Sequence, residues 1–265
     1  MHRFLLMFWA WGLWIAALAQ VSDDFSDGDF TNNPVWSGDV AEFVIDNLRL
    51  RSAGPEATAT LHLSTPNLRI DNAEWRFLID LPFEPSGSNQ VQVYLVSDQA
   101  NLENALNGYY LEIGQTGADA LRFYRQTGTT RTLLFTGSTS FAGNVRVRVK
   151  VLRNGAGQWQ ILSDATGGEN FSAEGSSFTD NAHTSTQFLG VVCRHTSTRR
   201  DSFFFDDFYV GDEIIDTQAP TLQSLLLESA NTLLLTFSEA LNPGLAQNPA
   251  FYSLSPGWET PPWWK

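Results

Sequence analysis

Cysteine is nearly absent: Cys193 stands alone in 265 residues, so no intrachain disulfide can form. An exported chain of this size without one is held by its core, by a bound ion, or by both. Cys193 sits in the apolar run FLGVVCRH and reads as a small buried hydrophobe. A catalytic thiol would want a base, and none of His62, His183 and His195 shares a motif with it. Basic residues are scarce as well. Sixteen Lys and Arg stand against 29 Asp and Glu, a net charge of −13. Phosphate backbones and anionic lipid both require clustered Lys and Arg, so nucleic acid and simple membrane docking are excluded. The acidity itself serves solubility.

Long apolar runs are missing except at the start. MHRFLLMFWAWGLWIAALAQ opens with Arg3, continues as an apolar run from Phe4 to Ala16, and ends on Ala17-Leu18-Ala19. Small residues spaced this way fit a signal peptidase. The run is shorter than the roughly 20 residues that cross a bilayer. Residues 1–19 are therefore expected to be a cleaved secretory signal, leaving a secreted or cell-surface chain with no membrane span in its mature part. Loss of Arg3 takes the charge from −13 to −14.

Helical periodicity is scarce too. Short segments with period-two alternation recur between Gly, Asn, Ser, Thr, Asp and Pro. In VRVRVKVLR, Val145 to Arg153, valines take one face and Arg146, Arg148 and Lys150 the other. That is a half-buried strand whose basic stripe faces either acidic neighbours on adjacent strands or an acidic glycan. Further strands are expected in AEFVIDNLRLR, ATLHLST, AEWRFLIDL, NQVQVYLVSD, GYYLEIGQ, ALRFYRQT, RTLLFTG, GQWQILSD, TQFLGVVCRH and SFFFDDFYVG. Asn154-Gly155 is expected to supply the positive φ of a tight hairpin. DQANLENALNG, Asp98 to Gly108, predicts one helical turn. So many short strands fit one large antiparallel sandwich. The pattern breaks at Asp216 to Pro220, where a domain boundary is expected. Beyond it, TLQSLLLES and NTLLLTFSEAL read as strands of a second module, with Trp258, Trp263 and Trp264 near the end.

Four ordered blocks carry a resemblance: DDFSDGDFTNNPVWSGD, then NAEWRFLIDLPFEPSGSNQVQVYLVSDQANLENALNGYYLEIG, then LRFYRQTGTTRTLL, then RRDSFFFDDFYVGDE. Residues 20–215 resemble the concanavalin A-like (laminin G-like) jelly-roll domain of secreted Bacteroidetes surface proteins. Residues 216–265 resemble the start of a bacterial Ig-like repeat, an incomplete β module. The resemblance implies an all-β, antiparallel two-sheet jelly roll with a noncatalytic extracellular role. Some domains of this fold bind sugars, some bind protein, and some only space other modules apart, so fold alone does not name the function.

SDDFSDGDF, Ser22 to Phe30, holds four aspartates in nine residues. With Gly28 at position six of an EF-hand loop, position three is Phe25 and position twelve Pro34, which fails. A jelly-roll calcium site gathers ligands from separate strands. Asp23, Asp24, Asp206 and Asp207 converge on a structural calcium if the first and last strands pair; otherwise they are solvated edge residues. Catalytic residues are not expected. No strand carries Glu-x-Asp-x-Glu, and G-x-S-x-G, H-E-x-x-H and paired cysteines are missing. Sugar sites stack a pyranose on an exposed ring, which makes Trp36, Tyr109, Tyr110, Tyr124 and Trp159 the ligand-binding candidates. Each competes with a place in the core. Alternation sends one of Tyr109 and Tyr110 outward. The expected role is a noncatalytic surface module for adhesion, or for recognition of glycans or surface proteins. A pure spacer and a glycoside hydrolase remnant stand as second and third readings.

Overall fold

The computed structural model describes residues 21–115, 119–215, 219–239, 241 and 246–252. The expected signal peptide and the three terminal tryptophans lie outside the described residues. Chain packing divides the protein into two units between Ile214 and Ile215.

The first unit is a sandwich of two antiparallel sheets. The nine-stranded sheet runs β13 (Ser172–Ala173), β12 (Gln158–Asp164), β11 (Val145–Arg153), β6 (Ala73–Leu81), β16 (Phe204–Gly211), β4 (Leu50–Ser52), β3 (Phe43–Ile45). Beside β16 lies β1 (Val21–Asp23), and beside β12 lies β14 (Phe178–Thr179). The seven-stranded sheet runs β10 (Thr130–Thr136), β9 (Arg122–Gly128), β8 (Leu106–Ile113), β7 (Gln90–Ser97), β15 (Phe188–His195), β5 (Ala59–Pro66), β2 (Ser37–Gly38).

Alternation decides what fills the space between the sheets. On β11, Val145, Val147, Val149 and Val151 are buried, and on the paired β6 so are Trp75, Phe77, Ile79 and Leu81. Val91, Val93, Leu111, Ile113, Phe123 and Val191 of the seven-stranded sheet join the same core. The outer stripe of β11 is neutralised by its neighbours: Arg146 meets Asp80 at 2.8 Å, Arg148 meets Asp207 at 2.7 Å, and Lys150 meets Glu74 at 3.1 Å. The stripe is thus a structural face rather than a glycan surface.

The two ends of the sandwich close on each other. Strand β1 pairs with β16, with Val21 opposite Val210 and Asp23 opposite Phe208. Phe25 and Phe30 turn into the core. Trp36 packs its ring 5.0 Å from Phe208 and 6.1 Å from Phe25.

Two local expectations are corrected. Asp98 to Gly108 is not a helical turn: residues 98–105 form a loop that leads directly into β8 at Leu106. Asp98 caps it by accepting from the Asn107 backbone N–H and side-chain amide, each at 2.8 Å, and Leu102 buries onto the sheet; these contacts replace a helical ladder. In the hairpin after β11, the positive φ belongs to Gly157 (74°) and not to Asn154-Gly155. The Asn154 side chain instead accepts from the backbone of Ala156 and Gln158, a local turn typical of Asn.

The second unit contains β17 (Leu222–Ser229) paired with β18 (Thr232–Phe237). Leu222, Leu225, Leu226, Leu227, Leu233 and Leu234 of this hairpin are exposed.

Candidate functional site: the outer face of the seven-stranded sheet

The pleat of β8 sends Tyr109, Leu111 and Ile113 into the main core, and Tyr110 and Glu112 to the opposite face. Register then assembles two rows across that outer face. One is His62, Val192, Gln92, Glu112 and Arg122; the other is Ser64, Gly190, Tyr94, Tyr110 and Tyr124.

The second row is a tyrosine ladder. Tyr94 and Tyr110 lie 4.8 Å apart, and Tyr110 stacks on Tyr124 at 5.1 Å with rings 10° from parallel. Leu102 of the β7–β8 loop covers it with Leu106 and Val192, leaving Tyr124 half-buried. Burial pushes the Tyr94 phenol up to about 12 and raises Tyr110 as well, so both stay neutral; the Tyr94 hydroxyl donates to Gln126 Oε1 at 2.8 Å. The Arg131 guanidinium lies 5.8 Å from the Tyr110 ring centre, in cation–π range.

The first row is polar. Gln92 Nε2 donates to Glu112 Oε2 at 2.7 Å. Glu112 Oε1 is buried with no hydrogen-bond partner among the described residues. Burial raises the Glu112 carboxyl, while Gln92, Arg131 and Arg122 pull it back.

Between β5, β15, β7 and the β7–β8 loop lies a cleft of about 440 Å³, within the size range of small-ligand sites. Thr58, Thr60, Gln90, Gln92, Glu103, Arg131 and Arg194 present its polar wall, with Ala59, Leu102 and Val192 between them. Among the described residues neither Arg131 nor Arg194 forms a salt bridge, whereas most other arginines do. Next to the cleft, His62 Nδ1 lies 3.0 Å from Asp39 Oδ2 and 3.2 Å from Glu103 Oε1.

The expected ligand rings divide between the two faces. Tyr110 and Tyr124 belong to the outer face, but Tyr110 is fully buried there under Leu102 and cannot stack a sugar, so only Tyr124 keeps a partly exposed ring. Trp36, Tyr109 and Trp159 do not: all three are buried in the main core. Trp159 stacks on Trp75 at 5.6 Å and donates its indole N–H to the Asp180 carbonyl. The Tyr109 hydroxyl donates to Asp180 Oδ1 at 2.5 Å. A sandwich this thick consumes its aromatics before it can display them.

The aspartates expected to hold calcium are likewise occupied elsewhere. Asp23 is buried, which raises its carboxyl, and accepts from the Phe25 N–H and from the Trp36 indole at 2.8 Å. Asp24 accepts from Ser26 N and Oγ, which lower it. Asp206 accepts from the Asp207 N–H at 2.9 Å, and Asp207 pairs with Arg148. Among the described residues no three of these four carboxylates gather at a common point, and Asp23, Asp24, Asp206 and Asp207 each spend at least one oxygen on a protein partner. First and last strands do pair, but strand pairing alone does not converge their side chains.

The cleft's own residues were only partly legible. Alternation in NQVQVYLV already sets Gln90 and Gln92 against Val91 and Val93. Nothing in the pattern marked Arg131, Arg194 or the His62 group, which come from five different segments.

No protein-family model and no curated protein matches the chain. Solved structures do. The Emp47p carbohydrate recognition domain is similar at TM-score 0.50 and 12% identity, over 72% of this chain and 92% of that one. The VIP36 exoplasmic/lumenal domain, in a Ca2+/Man3GlcNAc-bound form, is similar at 0.53 and 8% identity, over 76% and 91%. A xylan β-1,4-xylosidase of Bacillus halodurans is similar at 0.52 and 13% identity, over 72% of this chain but 39% of the enzyme. At these identities the likeness is one of fold. The first unit has the lectin-like, concanavalin A-like sandwich.

Proposed function

We propose that this protein is a noncatalytic carbohydrate-recognition module of an exported or cell-surface protein, and that it takes its glycan in the cleft on the outer face of the seven-stranded sheet. The observation that carries the reading is the cleft's donor set. Gln90 and Gln92 offer amides that both donate and accept, and Arg131 and Arg194 offer N–H groups with no carboxylate partner among the described residues; Tyr124, on the same sheet face but outside the cleft lining, keeps part of its ring uncovered. Hydroxyl-rich ligands want that mixture of paired polar groups and an aromatic platform. The lectin-like fold supports the same reading.

The noncatalytic part rests on the wall itself. Glycoside hydrolysis needs two carboxylates flanking the scissile bond, and among the described residues Glu103 is the single carboxylate lining the cleft, already engaged by His62.

A glycan array followed by calorimetric titration of the full chain tests the proposal. A hydrogen bond from a charged donor contributes about 1.5–3 kcal/mol, so Arg131→Ala is expected to weaken binding roughly 10- to 100-fold. Gln92→Ala is expected to weaken it less. No binding at all would leave the spacer reading in place, and equal binding by wild type and both variants would place the glycan site outside the cleft. Release of reducing ends from a bound polysaccharide would overturn the noncatalytic claim.

A further inference from the structure

Asp39, His62 and Glu103 come from three separate segments: the turn after β2, the middle of β5, and the β7–β8 loop. Their ligand atoms all lie within 4.8 Å of one another. We infer that they form a binding site for one first-row divalent cation of the zinc class, at the edge of the cleft. The site stands or falls whether or not a glycan binds.

Geometry comes first. Two carboxylate oxygens converge on one imidazole nitrogen, at 3.0 and 3.2 Å. Zinc binds His nitrogen and carboxylate oxygen at about 2.0–2.2 Å, which puts neighbouring ligand atoms about 3.0–3.5 Å apart in octahedral to tetrahedral arrangements. The His62 distances are of that size.

Charge points the same way. Three carboxylates on the nine-stranded sheet are met by arginine or lysine: Asp80 by Arg49 and Arg146, Glu74 by Arg76 and Lys150, Asp207 by Arg148. Among the described residues Asp39 and Glu103 meet neither, and the one salt-bridge partner of each is His62. Two anionic groups around one imidazole are balanced by a dication.

The site is also built rather than incidental. The His62 side chain is 8% exposed. Among the described residues no group outside the cluster bonds to its Nδ1. Asp39 is locked to the strand by two backbone bonds, His62 N–H to Asp39 Oδ2 at 2.8 Å and Asp39 N–H to the His62 carbonyl at 3.0 Å. Gly38 lies against the imidazole at φ +130°, where a Cβ would stand 2.5 Å from the His62 carbonyl and 3.0 Å from its ring. Any larger residue there would displace the histidine. Glu103 is held by its own N–H, which donates to Asn101 Oδ1 at 3.0 Å. Orientation of ligands by such neighbours is what gives a metal site its affinity.

The donor set selects the ion. Calcium takes six to eight oxygens, while one nitrogen and two carboxylates suit zinc and its first-row neighbours and leave a fourth position for water.

The test uses the full chain, stripped with EDTA, desalted, and titrated with zinc chloride by calorimetry, with thermal melting alongside. One zinc per chain is expected, with a raised melting temperature. Glu103→Gln and Asp39→Asn, both at partly exposed carboxylates, should each weaken zinc by more than 10-fold, since loss of even an outer-shell partner costs about 10- to 100-fold. His183→Ala should leave zinc binding unchanged, and calcium chloride should neither bind nor compete. His62→Gln removes the nitrogen donor, but its burial puts folding at risk, so the two carboxylate variants carry the decision once their metal-free melting matches wild type. The inference is overturned by absence of a zinc heat and a melting shift, by zinc retained in both carboxylate variants, or by calcium binding as tightly as zinc.

Discussion

Asp206→Asn is expected to stabilise the protein at neutral pH and to leave it unchanged in acid. Asp206 sits on β16 where the pairing with β6 shifts between Asp206 and Tyr209, and its neighbour Asp207 has a positive φ of 52°. Burial, with the Asp207 charge beside it, pushes the Asp206 carboxyl from 3.8 up to about 6. The folded state therefore holds this proton more tightly than the unfolded chain does. Its contribution to stability is fully present below pH 4 and is lost as pH rises from about 4 to about 6. A rise of about two units is worth about 3 kcal/mol; discounted by half for a group that is only partly shielded from solvent, it becomes about 1.5 kcal/mol. Asparagine removes the buried charge and keeps an oxygen to accept the Asp207 N–H, so the variant should recover that amount at pH 7. In a unit of about 200 residues the gain is roughly 3–6 °C in melting temperature. The assay is a melting series of wild type and Asp206→Asn at pH 4, 5.5 and 7, each with EDTA and with calcium. A variant that melts lower than wild type at pH 7, or a gap of the same size at every pH, would refute the reasoning. A loss of melting temperature confined to the calcium arm would restore Asp206 as a calcium ligand.

Trp159→Ala should cost about 3–5 kcal/mol in urea denaturation, the usual loss for a large buried aromatic, because it removes the Trp75 stack and the indole bond to Asp180. Tyr124→Ala, on a half-buried ring, should cost clearly less and act on glycan binding; the reverse pattern would return Trp159 to the ligand site. The Cys193 thiol is fully buried and burial pushes its ionisation far up, so a disulfide reagent should label it only at the rate of unfolding, and rapid labelling of the native protein would contradict the core placement.

Some of this was written in the chain. Period-two alternation does not depend on what a strand meets, only on the pleat, so VRVRVKVLR and AEWRFLIDL match β11 and β6 residue for residue. The same alternation fixed that Tyr109 and Tyr110 face opposite ways, and the ordered blocks fixed a two-sheet sandwich closed by its first and last strands. What alternation cannot say is which of the two faces is covered. Only the tertiary structure decided that Tyr109, Trp36 and Trp159 belong to the core, because depth depends on the second sheet and not on the local pattern. It also decided the fate of the aspartates, since a carboxylate's partner is set by side-chain direction in three dimensions: Asp23 turned to an indole and Asp207 to Arg148. The cleft and the Asp39, His62 and Glu103 group are decided the same way. The three residues of that group are separated by up to 64 positions in the chain and the cleft residues by up to 136, and they meet because β5, β15 and β7 lie side by side under one loop.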